Sequence, residues 1–592
     1  MSNKTTNMGM HDWNEGSDPP TQEQCSSNIH AIDEEFGQRG INIQWKGADP
    51  GGVADSSAAI VAAISLDTDT IYIPKGVYLI NQNLTLPRST VMVFARGARL
   101  KIANGKKLTI NGVIEAHSHN FIIDLSAGGT LSGAPLTTLF YPQWFGAIGD
   151  GIADDTAPMQ YFFDFVVNNS VSGLIPTGTY KLTQTINVPS GGGWRISGTG
   201  FRSTKLKQFK NNIPILNLGY NENAQACSEV ILTEISFEYA NPQTSIFPNG
   251  NALYFSASYY QCSFTKLRFG GWYGIKHKPN QIGSWGCVFD ELIFTAACYG
   301  GAMDWTGMQN AIPNNRFGRM LMDGKNMAGP IFCSLKGHNW TIDILEFLQT
   351  NQGAQLMSFQ AGSICTIGAI KLENGVYNSA LSLINMDTGS KIKIGQVNIG
   401  GNAMHINPTS GVFNVFKTSS GGNTGWLEID VLNISATSLS GNVYILEGKG
   451  GSMTIKNINT NGCNFVLHNA ASSSSSDTIS ISDWNNNRLS RNKGDADYSI
   501  MLGDPNTICF ETPLTAPRIV NLPRDNNNLF NGLCYRIRAY GAINSSNHII
   551  IKCNNAIITT LTTDKSVIEF MYRHVNHNPQ NGWIVVGYNT LP

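Results

Sequence analysis

The chain has 592 residues, far beyond the ~100–200 of one ordinary domain, so it holds several domains or one long repetitive one. Charged residues are 14% and hydrophobic residues 41%, which supports a large core and excludes global disorder. Lys+Arg 40 against Asp+Glu 41 leaves a net charge of -1, without the basic surplus that a phosphate backbone demands, so nucleic acid is excluded as the main partner. The first twenty or so residues are polar, with no apolar core of a signal peptide, and no run long enough for membrane insertion follows. Within residues 1–42, Ile29, Ile32 and Phe36 recur at i, i+3, i+7 and predict one short amphipathic helix. The 11 cysteines form no C-x-x-C pair. Cys262, Cys287, Cys333 and Cys365 sit in apolar runs, which predicts buried thiols, with neither zinc nor a disulfide framework.

A duplicated module comes next. Gly47-Ala48-Asp49-Pro50-Gly51-Gly52-Val53-Ala54-Asp55 returns as Gly146-Ala147-Ile148-Gly149-Asp150-Gly151-Ile152-Ala153-Asp154. A helix follows each copy, then a matching turn, Pro74-Lys75-Gly76-Val77-Tyr78 and Pro176-Thr177-Gly178-Thr179-Tyr180. The second helix is capped by Asp154, Asp155 or Thr156 and buries Met159, Phe162, Phe163 and Val166. Ile60, Ala63 and Ile64 do the same in the first copy. Asp150, Asp154 and Asp155 are read as caps and turn formers, because their spacing lacks the alternating oxygens of a calcium loop.

The second copy, from Phe145 through Asp150 to Thr156 with its helix and Tyr180 turn, closely resembles the opening module of the pectate-lyase-like superfamily. Within that superfamily the likeness is strongest to bacteriophage tailspike depolymerases. The resemblance implies an all-β fold, a right-handed parallel β-helix whose first rung that helix covers. The first copy, lacking Gly-Asp-Gly, reads as a degenerate module with its own small β region over 43–140.

From Leu232 a seven-residue strand motif repeats, apolar at positions one, four and six, with further starts at Phe264, Phe289, Phe317, Ile342, Ile367, Ile394, Ile429, Ile455 and Ile481. Successive starts differ by 32, 25, 28, 25, 25, 27, 35, 26 and 26 residues. Such periods mean a solenoid, placed here over 141–500. A second strand follows about ten residues on, as in Tyr273-Gly-Ile-Lys276 and Ala302-Met-Asp-Trp305. Asn398, Asn433, Asn459 and Asn485 share position five and predict a column of stacked amides.

Residues 501–592 read as short strands between Asn/Gly turns, an antiparallel β-sandwich. The ending Asn581-Gly-Trp-Ile-Val-Val-Gly-Tyr588 looks like the C-terminal domain of several tailspikes, where it helps hold the trimer. Trp583 and Tyr588 are expected to pack in its core rather than bind sugar.

The resemblance implies a virion tail component, made in the host cytoplasm, that binds and depolymerises a bacterial surface polysaccharide, capsule above all. It also implies a homotrimer and docking of residues 1–42 on another tail protein; no cofactor or metal is implied. Hydrolysis is favoured over β-elimination, and a non-catalytic receptor-binding spike or a cellular pectate lyase are the alternatives. Outward carboxylates are expected from Asp323, Glu346 and Glu373 on three consecutive rungs, at separations that suit a glycosidase acid and base. Asp290 with Glu291, and His277 with Tyr273, are the reserve pairs, the latter for an elimination. Trp272, Trp305, Trp340 and Tyr377 are expected to stack on sugar rings, with Trp285 and Tyr299 among the same outward aromatics. Ile293, Leu321 and Leu348 are expected near a subunit contact.

Overall fold

The computed structural model describes residues 3–4, 11–12, 21–38, 40–66, 69–220, 226–280, 283–305, 314–327, 331–335, 339–350, 355–377, 381–387, 389–400, 404–407, 413–418, 425–435, 438–439, 443–447, 452–459, 466–468, 478–485, 491–500, 507–523, 534–572 and 582–590. Contacts divide the chain into two units, Met1–Lys207 with Glu229–Ile235, and Gln208–Ser228 with Ser236–Pro592.

In the first unit a short antiparallel pair, Asn3–Lys4 with His11–Asp12, precedes helix α1, Gln22–Gln38, whose Ile29 and Ile32 are exposed; the side chain of Phe36 lies outside the described residues. The two module copies then follow one plan. Each begins with a 3-10 turn, Ile43–Lys46 and Pro142–Phe145, closed by a glycine in the left-handed region, Gly47 (φ 90°) and Gly146 (φ 104°). Each continues into a strand, Gly51–Asp55 or Asp150–Asp154, and a helix, α2 (Ser57–Ile64) or α3 (Thr156–Asn168). Gln44 Nε2 donates to Tyr78 Oη at 2.8 Å, and Gln143 Nε2 to Tyr180 Oη at 2.6 Å.

The carboxylates of these modules hold backbone. Asp154 Oδ1 accepts from Thr156 N at 3.0 Å, and Asp55 Oδ1 accepts from Ser57 N at 3.0 Å. Asp150 Oδ1 accepts from Ile152 N and Ala153 N, which holds its carboxyl below the ordinary value. In the first copy glycine stands at that position, and Asp49, two residues earlier, takes over by accepting from Val53 N and Ala54 N. Losing Gly-Asp-Gly therefore moved the carboxylate without losing the turn. After α2 come three small parallel sheets, with Tyr72 opposite Val93, Leu79 opposite Lys101 and Leu108 opposite Leu131. They close on Ile71, Tyr78, Leu100 and Leu108, a small β region of its own as the sequence predicts.

The second unit is dominated by a parallel ladder. Its strands are β1 (Ser263–His277), β2 (Val288–Asp304), β3 (Arg316–Gly324), β4 (Trp340–Thr350), β5 (Ile364–Leu372), β6 (Lys391–Ile399), β7 (Trp426–Ile434), β8 (Ser452–Asn459) and β9 (Thr478–Asn485). Positions one, four and six stack inward, with Phe289, Leu292 and Phe294 opposite Phe317, Met320 and Met322, and all six are buried. Like residues on like, these rings and chains make a continuous core at the ~4.8 Å strand spacing. A second parallel ladder runs through the ends of β1 and β2 into Ile331–Leu335, Gln355–Phe359, Leu381–Met386, Phe413–Thr418 and Val443–Glu447. This is a parallel β-helix.

Each rung bends at positions two and three. Lys266 (φ 51°) and Glu291 (φ 50°) make the bend in the left-handed region. Three later rungs carry glycine at position two, Gly318, Gly368 and Gly395; a Cβ on Gly368 would stand 2.5 Å from the carbonyl oxygen of Asp343. The asparagine column forms as expected, with Asn433 Nδ2 donating to Asn398 Oδ1 and Asn459 Nδ2 to Asn433 Oδ1, both at 2.6 Å; the Asn485 side chain lies outside the described residues. Asn433→Ala is expected to cost about 1–2 kcal/mol in denaturant unfolding, since it strands an amide above and a carbonyl below.

Beyond the ladder the strands are mixed, not purely antiparallel. Thr507–Phe510 runs parallel to Cys534–Ala539, and Arg518–Asn521 parallel to Ile549–Cys553, before antiparallel pairing brings in Ala556–Leu561, Ser566–Tyr572 and Trp583–Thr590. The parallel pairs keep the coil's habit of returning in the same direction after a long connection. Trp583 is buried against Tyr535 and Tyr572 and donates to the Pro523 carbonyl at 3.0 Å, but Tyr588 is 47% exposed rather than in the core.

Candidate functional site

Two outward regions of the second unit carry the candidate residues. The first lies along position five of the ladder, where register sets Arg268, Ile293, Leu321, Glu346, Lys371, Asn398, Asn433 and Asn459 one above another. Ile293 and Leu321 are half-buried here, as is Leu348 two residues beyond Glu346. Glu346 Oε2 accepts from Arg319 Nη2 at 2.6 Å and from Nε at 3.0 Å. One rung on, Glu373 Oε1 meets Lys371 Nζ at 2.6 Å, which raises the lysine above its usual value. The result is an array of carboxylate, guanidinium and ammonium spread over three consecutive rungs.

Asp323 departs from the expected column. A bulge after Met322 sets it opposite Gln349 instead of Leu348, because β4 carries one extra residue there. Its Oδ1 accepts from Lys325 N at 3.1 Å, a turn contact. Asp290 is likewise tied to backbone, with Oδ1 accepting from Glu291 N at 2.8 Å and Arg319 N at 2.9 Å. A Cβ on Gly318 would lie 1.8 Å from that oxygen, so the carboxylate fills the space that glycine leaves. Glu291 is exposed at the bend.

The second region gathers Trp272 and Tyr273, half-buried, with a pair that the sequence reading passed over. Lys276 Nζ lies 3.3 Å from Asp304 Oδ2 and 5.3 Å from the Tyr273 ring centroid. Lys276 and Asp304 are opposite one another in register, and the alternation of Ile275 and Met303 inward with these two outward was the available signal. Trp272 lies over Gly300 and meets Tyr273 edge to face. Burial, and secondarily the Asp304 charge, pushes the Tyr273 hydroxyl up. Tyr260 and Trp285, outward on adjacent rungs, are a further stacked pair with centroids 5.0 Å apart.

Four expected site residues are inside the coil. Trp305, Trp340 and Tyr377 are buried at 0–2% exposure and have no face to offer a sugar. Trp305 and Trp340 pack on each other at 5.0 Å and on Phe317. His277 is also buried, stacked on Phe255 and edge-on to Trp305, with Nε2 3.2 Å from Ser284 Oγ. Burial drives its pKa down to about 3, against a smaller upward pull from Asp304. An outward base at His277 is therefore ruled out by its position, since period-two alternation puts it with Ile275.

No curated protein matches the chain. Among solved structures, the gp42 tailspike of Acinetobacter phage vb_AbaP_AS12 aligns at 10% identity over 76% of this chain and 82% of that one, with a TM-score of 0.41. The tailspike of Acinetobacter phage vB_ApiP_P1 aligns at 13% identity over 76% and 79%, with a TM-score of 0.33. The GH87 alpha-1,3-glucanase catalytic unit of Streptomyces thermodiastaticus aligns at 11% identity over 76% and 69%, with a TM-score of 0.25. A family model does match within the first module copy, the one whose motif is degenerate: residues 40–126 fit the family described as rhamnogalacturonase A/epimerase, pectate lyase-like.

Proposed function

We propose that this protein is a phage tailspike that binds and cleaves a bacterial surface polysaccharide, capsule in the first instance, by glycosidic hydrolysis. The observation that carries the reading is the outward array of Glu346 and Glu373 on consecutive rungs of a parallel β-helix in a chain with a pectate-lyase-like module. Adjacent rungs lie ~5 Å apart, which suits a retaining reaction: one carboxyl protonates the glycosidic oxygen as the bond to the anomeric carbon breaks and the other attacks that carbon, and the first, now a carboxylate, then takes a proton from the water that displaces the glycosyl ester. Asp323 is the third candidate. Arg319 and Lys371 hold the two glutamates and offer hydrogen bonds to sugar hydroxyls. Hydrolysis is preferred to elimination because His277 is buried and the Tyr273 hydroxyl holds its proton, leaving that reserve pair without a ready base. The reading includes a homotrimer in the virion tail, with Ile293, Leu321 and Leu348 near the subunit contact and residues 1–42 toward another tail protein. Light scattering on the folded, active protein tests it, and a monomer removes the trimer.

A non-catalytic spike is the second reading. It is favoured by the fact that both glutamates sit in ion pairs like those of Arg316 with Asp343 and Lys456 with Asp430, which simply lace the rungs together. Incubation with purified capsule and sizing chromatography separates the two. Shortened chains establish the enzyme, intact bound polymer the adhesin, and new ultraviolet absorbance from an unsaturated uronate the lyase.

A further inference from the structure

Past the end of the ladder, one face of the mixed sheet collects positive charge around an aromatic ring. Ile537 and Ala539 are buried, so alternation along Cys534–Ala539 turns Arg536 and Arg538 outward, and Tyr540 continues that face. On the neighbouring strand Ile568 and Phe570 are buried, which turns Val567 and Glu569 outward, opposite Arg538 and Arg536. Lys565, in the left-handed region (φ 52°) just before that strand, is exposed. The Tyr540 ring is 44% exposed, with Arg538 Cζ 5.4 Å and Lys565 Nζ 5.7 Å from its centroid. At such distances the ring quadrupole attracts both cations. The neighbouring acids are engaged elsewhere. Glu569 Oε1 meets Arg536 Nη2 at 3.3 Å, and Asp564 accepts from Gly541 N at 2.9 Å and from Ala542 N at 3.1 Å. Among the described residues Arg538 and Lys565 have no carboxylate partner, and Arg538 Nε is buried without an acceptor. A desolvated guanidinium donor left in that state carries a cost that an incoming oxyanion removes.

We infer that Arg538, Tyr540 and Lys565 form a saccharide-binding site, on the mixed sheet rather than on the ladder, that takes an acidic sugar residue of the surface polysaccharide by its carboxylate. The guanidinium fork matches the two oxygens of a carboxylate, and the ammonium supplies a second charge beside it. The exposed part of the Tyr540 ring meets the C–H groups of the pyranose, and its hydroxyl reaches a sugar hydroxyl. Asn589, exposed and opposite Val567 in register, adds an amide on the same face. Two cations around one ring, with Glu569 close by and a chain charge of -1, do not make the basic stripe that a nucleic-acid backbone demands. One carboxylate attached to one sugar ring fits them. The inference rests on the polysaccharide-binding reading for its polymer, but not on where that polymer is cut.

The test uses the full chain, its Lys565→Gln, Arg538→Gln and Tyr540→Ala variants, and an immobilised panel of hexuronate-containing bacterial capsular polysaccharides. Each polymer is present a second time after reduction of its carboxyls to the neutral sugar. The parent is expected to bind an acidic polymer about tenfold or more tightly than the reduced form, and less tightly as salt rises. Lys565→Gln and Arg538→Gln should each lose about tenfold on the acidic polymer and nothing on the reduced one. Tyr540→Ala should weaken both, because contact with the ring does not depend on charge. Lys565 is exposed, so the melting curve of Lys565→Gln should match the parent and that variant reads binding alone. Equal affinities of parent and Lys565→Gln, equal binding of acidic and reduced polymers, or preference for duplex DNA or phosphodiester-linked polymers overturns the site, while shortening of the polymer by the parent leaves the cleavage reading standing. The expected losses without any shortening support the site and overturn the cleavage reading. A parent that binds no member of the panel overturns both.

Discussion

Polysaccharide cleavage is expected to fall by about 10²–10⁴-fold in Glu346→Gln and in Glu373→Gln, the range lost when a positioned general acid or base is removed. Each change keeps size and hydrogen-bonding shape, so binding of intact polymer should stay within a few-fold of the parent. The contrast that gives the result meaning is Glu428→Gln. Glu428 is also an outward carboxylate on the ladder, paired with Lys393 and Lys456, and those cations hold it below its ordinary pKa. If ion pairing were all that Glu346 and Glu373 do, the three variants would behave alike. Initial rates on purified polymer, with binding measured separately, decide it. Parent-like cleavage in Glu346→Gln, Glu373→Gln and Asp323→Asn together rules this array out as the active site.

Acid is expected to weaken the fold through His277. Its folded pKa is about 3, against about 6.5 for an unfolded histidine. Between those values the unfolded chain holds a proton that the folded chain refuses. Stability therefore falls as pH drops from about 6.5 toward 3, by up to about 1.4 kcal/mol for each pH unit. The cause is physical confinement: the ring is stacked on Phe255 and met by Trp305, with Ser284 as its neighbour at Nε2. Asp55, whose bonds to Ser57, Asn81 and Gln82 bring it down to about 2, loses its own contribution only at lower pH. Between about pH 6.5 and 4.5 the histidine contribution changes while that of Asp55 does not. Denaturant unfolding across it should show a steep decline in the parent and a flat profile in His277→Gln, which keeps a polar group near Ser284 and cannot titrate. Parallel profiles would mean that other groups carry the acid sensitivity.

The β-helix was legible because inward positions must be apolar in every rung, whatever the loops do. Ile367, Ile370 and Leu372 stand opposite Ile394, Val397 and Ile399, as the motif alone requires. The site was less legible, for two reasons. Trp305 and Trp340 look like sugar platforms by residue type, yet period-two alternation sets them with Met303 and Ile342, inside. Loop-like flanks hid a strand phase that was there to be read. The second reason lies at the bends. Arg319 sits at position three, where each rung turns, and no linear spacing reveals that its guanidinium crosses to Glu346 on the next rung. The bulge that displaces Asp323 is equally silent, since one extra residue in β4 resembles any other loop change.

The connection between β6 and β7 is the longest in the ladder, yet the two strands pair residue for residue from Lys391 opposite Trp426 to Ile399 opposite Ile434. Extra chain has been absorbed without moving a single stacked side chain. Because each rung touches only its neighbours, the energetic cost of a longer or different excursion stays local. The scaffold thus separates inheritance of shape from inheritance of taste. Whole excursions can be exchanged between related chains while the stack that carries them persists, so what the excursions bind can change far faster than the fold that presents it.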